Sequence, residues 1–113
     1  MFPAEHTMQH QIEHELWLKE LGFLHDEIEI MKRHLSDVYY RADAENVMHL
    51  VEAFDEKFTL QKKWLNKMKN ELQQFEEPDD EIGETVKKSF SLQMQANRIV
   101  NEELKDSFLK LFS

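Results

Sequence analysis

The sequence predicts an all-α protein: an antiparallel up-down-up bundle of three long, coiled-coil-like helices in a single domain, residues 1–113. Three observations predict it. Leu21, Leu24, Ile28, Met31, Leu35 and Val38 recur at alternating steps of three and four, the narrow apolar seam of helices that pack lengthwise. Two glycines and two prolines are very few for 113 residues, a third of them charged, so long helices with short connections are expected. The apolar phase also breaks twice, which divides the chain into helices over about residues 5–40, 44–76 and 80–112.

The first helix extends backwards from its seam through Trp17, His14, His10 and Thr7, with Thr7 or the Pro3 region near its start. Carried forwards, the same seam lands on Ala42, Glu45, His49, Glu52 and Glu56, a polar stripe. The apolar residues have moved to Ala44, Val47, Val51, Phe54 and Phe58. A slip of two residues turns the apolar face by about 200°. A break near Tyr40–Asp43, with Asp43 capping the second helix, restores one core. One unbroken helix swapped into a partner chain is the alternative.

The second helix continues through Gln61, Leu65, Met68, Leu72 and Phe75, and Pro78 stops it. The third reads Ile82, Val86, Phe90, Gln93, Asn97, Val100, Leu104 and Leu111, widened at its end by Phe108, Leu109 and Phe112. A first hairpin centred near residues 41 and 42 would bring Lys57 level with Asp26, Lys62 and Lys63 near Glu20, and Lys67 and Lys69 near Glu15 and Glu13. A second, centred near 77 and 78, would place Gln61 close to Gln93 with Gly22 beside them, a polar layer that fixes register across the core.

Two further stripes do not belong to the main seams. Leu16, Phe23 and Ile30 repeat every seven residues on the first helix, and Leu50, Ala53, Leu60 and Trp64 make a comparable row on the second. A contiguous apolar row of this kind marks an interaction surface. The expected interface is therefore Leu16, Phe23, Ile30, Leu50, Leu60 and Trp64, and the expected partner a second copy in a homodimer. A different protein partner is the alternative occupant. Cover by the third helix through Leu92, Ala96 and Ile99 is the competing explanation of the stripes.

Net charge −9 argues against nucleic acid and anionic membrane as partners. No apolar run approaches the roughly 18 residues of a membrane helix. The N-terminus lacks a basic start and an apolar stretch, so a cytoplasmic setting is expected. Without cysteine there is no disulfide, thiolate site or cysteine nucleophile.

Six histidines raise a metal site. His6, His10 and His14 are four apart and share a helical face, so they form the candidate set, with Glu71 or Glu81 as a helping carboxylate. His10-Gln11-Ile12-Glu13-His14 also fits the H-x-x-E-H string of inverted zinc peptidases, but the chain has no room for the third ligand and substrate chamber. No Glu-x-x-His occurs, as a ferritin-like centre needs. No nucleophile–base set or phosphate loop is visible, so no enzyme and no cofactor is expected.

His14-Glu15-Leu16-Trp17-Leu18-Lys19-Glu20-Leu21, continuing to Asp26-Glu27-Ile28 with Arg33 and Leu35, resembles small uncharacterised bacterial helical-bundle proteins of unknown function. Phe54 and Phe58 with Gln61, Trp64 and Leu65 resemble their second helix. The resemblance implies a stand-alone helical bundle and carries over no catalytic residue. The function expected is a non-catalytic structural or protein-interaction bundle that self-associates. The alternative is a metal- or small-ligand-binding bundle using the N-terminal histidines.

Overall fold

The computed structural model describes residues 3–41, 44–75 and 81–112, with side chains over 8–40, 47–75 and 83–111. Three helices account for nearly all of them: α1 over Pro3–Arg41, α2 over Ala44–Gln74 and α3 over Glu81–Leu109, closed by a 3-10 turn at Lys110–Phe112. The described residues include no strand. The molecule is 63 Å long and about 20 Å across. The 39 residues of α1 alone span about 58 Å at 1.5 Å per residue.

Each helix forms where its apolar spacing is regular. Pro3 suits a first helical position, where its missing N–H would have had no partner. The break expected at Tyr40–Asp43 falls between Arg41 and Ala44. The Asp43 cap and the Pro78 stop lie outside the described residues. The end of α2 is closed by the Phe75 N–H, which donates to the Leu72 carbonyl at 3.3 Å.

One core draws on all three helices. Leu21, Leu24, Ile28, Met31 and Leu35 of α1 meet Phe58, Leu65, Met68 and Leu72 of α2, with Met94, Leu104 and Phe108 from α3. Aromatic clusters close both ends. Phe54, Phe58 and Phe108 stand 5.5 to 5.7 Å apart between ring centres. Phe90 lies 5.4 Å from Phe75 and 6.4 Å from Trp17. Offset and edge-on rings of this kind hold orientation as well as burying area.

The ion pairs differ from the level arithmetic of the sequence. Lys62 meets Glu29 rather than Glu20, and Lys32 reaches Thr59 at 3.0 Å and Asp55 at 3.8 Å. Glu13, Glu20 and Glu27, seven residues apart, pair with Lys87, Arg98 and Lys105 of α3. Of the basic stretch Lys57–Lys69, Lys62 reaches α1 at Glu29, while Glu13 and Glu20 pair with α3 instead. The displacement has a geometric cause. Side chains lean toward the N-terminus of their own helix, so long side chains touch away from where their backbones are level.

The candidate surface and the polar layer

The inner feature is a buried polar layer. Gln61 is buried in α2, and its Nε2 donates to Asn101 Oδ1 at 3.0 Å and to Asn97 Oδ1 at 3.3 Å. Asn101 Nδ2 donates in turn to the Leu24 carbonyl at 2.9 Å. Asn97 Nδ2 lies 3.2 Å from Met68 Sδ. Three helices are thus tied at one height, and no buried side-chain nitrogen or oxygen among the described residues lacks a partner.

Gln93, expected opposite Gln61, is instead exposed and donates to Ser89 Oγ of its own helix at 3.2 Å. Gly22, expected beside the layer, is not part of it: a Cβ there would meet nothing within 4 Å. The cause is a rotation of α3. Its inward residues are Phe90, Met94, Asn97, Asn101, Leu104 and Phe108, so Met94 and Asn101 replace Gln93 and Val100. That choice buries Met94 completely and gives the Gln61 amide two partners. Asn97 already stood on the sequence seam. Asn101 did not, because Phe90, Gln93, Asn97, Val100 and Leu104 keep the three-four rhythm as regularly as Phe90, Met94, Asn97, Asn101 and Leu104.

The outer feature is apolar. Leu16, Phe23 and Ile30 are 59%, 65% and 46% exposed on α1, and Leu50, Leu60 and Trp64 are likewise exposed on α2. Leu92, Ala96 and Ile99 of α3 do not cover them, for they too face outwards. The rows do not merge into one strip. Ile30 lines a hollow between α1 and α3 with Met31, His34, Phe108 and Leu109. Trp64 lines another between α2 and α3 with Met68, Gln93, Ala96 and Val100. Both rows turn toward the α3 side of their helices, so α3 lies between them.

Charged groups border the α1 row. Arg98 grips Glu20 with both Nε and Nη2, the latter at 2.7 Å, and this hydrogen bonding raises the guanidinium further above its ordinary value. The Lys105 ammonium is raised by its hydrogen bond to Glu102 and then by the charges of Glu102 and Glu27. On the α2 side, the Lys62 hydrogen bond holds the Glu29 carboxyl below the usual carboxylate range.

His10 and His14 are half-buried on α1, while the side chains of His6 and Glu81 lie outside the described residues. Glu71 lines the Trp64 hollow. Among the described residues no three His, Cys, Asp or Glu side chains gather in a way that could hold a metal. No helix among them is long and apolar enough to cross a membrane. Compared with protein-family models, with curated proteins and with solved structures, the chain matches none.

Proposed function

We propose that the chain is an antiparallel up-down-up bundle that works without catalysis, as a structural or protein-interaction module that self-associates through apolar side chains outside its core. The chain direction is supported by the cross-helix pairs. On α1 and α2, Glu29 pairs with Lys62 and Lys32 with Asp55, so numbers fall on one helix as they rise on the other. On α1 and α3, Glu13, Glu20 and Glu27 pair with Lys87, Arg98 and Lys105, so both numbers rise together.

The observation that carries the self-association is the row Leu16, Phe23 and Ile30. Each is about half exposed or more, each is seven residues from the next, and the third helix passes beside them rather than over them. Isolated exposed apolar residues need no explanation, but a periodic row does.

Size-exclusion chromatography with light scattering tests the reading. The expected mass is twice 13.7 kDa. Phe23→Asp should give a folded monomer, and Leu60→Asp reports separately on the α2 row. A wild-type protein that stays at 13.7 kDa at high concentration would remove self-association.

A further inference from the structure

Resting on that reading, we propose that the second copy docks on the back of α1 as an antiparallel pair of α1 helices, related by a two-fold axis beside Phe23. Leu16, Lys19, Phe23, Asp26 and Ile30 follow steps of three and four, and all five are exposed. They form a second seam on α1, facing away from the core seam that starts at Leu21. A symmetric dimer joins a surface to itself, so the seam must be its own complement.

Charge decides the direction. Lys19 and Asp26 make no ion pair among the described residues, while their neighbours Glu20, Glu27 and Glu29 are all paired within the molecule. Seven residues apart, they stand about 10 Å from each other along the helix, too far to pair together. An antiparallel partner centred on Phe23 sets Leu16 opposite Ile30 and brings Lys19 within one residue of level with Asp26, twice over. A parallel partner would set Lys19 against Lys19 and Asp26 against Asp26, which repel.

Gly22 is the second observation. It sits in the middle of a 39-residue helix, where glycine is unfavourable, and a Cβ there would meet nothing within 4 Å. Nothing inside the molecule requires it. Next to Phe23, it leaves room for a second backbone to approach the crossing point.

The chain has no cysteine, so single cysteines report without background. Leu16→Cys and Ile30→Cys variants are oxidised separately and as a mixture. The antiparallel pair gives a covalent dimer from the mixture and loses it in each single-variant control. Lys19→Asp weakens association and adding Asp26→Lys restores it, while Gly22→Ala weakens association without unfolding the helix. Covalent dimer from Leu16→Cys alone would show a parallel pair and overturn the inference. A wild-type dimer with no covalent product in any tube would overturn it too, leaving self-association through another face. A wild-type monomer in light scattering would overturn both readings.

Discussion

Asn101→Ala should destabilise the protein by about 2 kcal/mol, while Gln93→Ala should change stability by no more than about 0.5 kcal/mol. Asn101 is 2% exposed, accepts from Gln61 Nε2 at 3.0 Å and donates to the Leu24 carbonyl at 2.9 Å. Truncation removes both bonds, each worth about 1 kcal/mol net. It leaves neither former partner stranded. Gln61 keeps Asn97 at 3.3 Å, and the Leu24 carbonyl still faces its own helix. That is why the loss stays near 2 kcal/mol rather than adding a full desolvation penalty, and it corresponds to about 8 °C in the melting midpoint. Gln93 has only a bond to Ser89, one turn away in the same helix, and is already solvated. Urea unfolding followed by circular dichroism and tryptophan fluorescence measures both. A double-mutant cycle should show coupling of at least about 0.5 kcal/mol between Gln61 and Asn101, and none between Gln61 and Gln93. If Gln93→Ala costs as much as Asn101→Ala, or the coupling is found at Gln93, α3 is rotated the other way and the described layer is wrong.

Other outcomes follow from the same packing. Met94→Ala, at a site with 0% exposure, should cost about 2 to 5 kcal/mol, and Val100→Ala well under half of that, by the same urea titrations. Gly22→Ala should raise the stability of the monomer by about 0.5 to 1 kcal/mol, read at concentrations below association; a loss would show that something inside the molecule needs the glycine. Glu29, held low by Lys62, contributes its stabilisation fully above its ordinary value of 4.5 and loses it as pH falls through the lower value in the folded chain. The stability gap between wild type and Glu29→Gln should therefore close on acidification; a gap that stays constant to low pH has another cause. Zinc should leave the melting midpoint unchanged, whereas a specific site at His10 and His14 would raise it by mass action.

The helices of the core were legible because two seams are strict. Leu21 to Leu35 and Phe54 to Leu72 keep the three-four rhythm almost without exception, and the phase slip at residue 42 leaves no single helix able to bury both. The third helix was ambiguous. Gln93 with Val100, and Met94 with Asn101, are adjacent choices of one polar and one apolar residue each, and hydropathy alone does not separate them. What separates them is the number of hydrogen bonds each offers Gln61, which only the packed helices decide. The second stripes were legible as rows on α1 and α2. Their division by α3 was not, because it depends on which flank of each helix the third one takes. The partner of Lys62 was missed because level counting follows backbones, whereas long side chains meet at their tips; that of Glu20 was missed because it lies on α3, whose place beside α1 the level counting did not include.

The proposed up-down-up arrangement requires the chain to reverse direction between α1, which ends at Arg41, and α2, which begins at Ala44. The most direct measurement is the distance between spin labels on Glu15→Cys and Gln73→Cys, both exposed, in labelled protein diluted into an excess of unlabelled chain. Dilution leaves only distances within a molecule. Adjacent helix axes lie about 8 to 10 Å apart, so with the label arms the two sites should read within about 30 Å. A continuous helix through residue 42 would place them about 87 Å apart, at 1.5 Å per residue, and that result would contradict the fold.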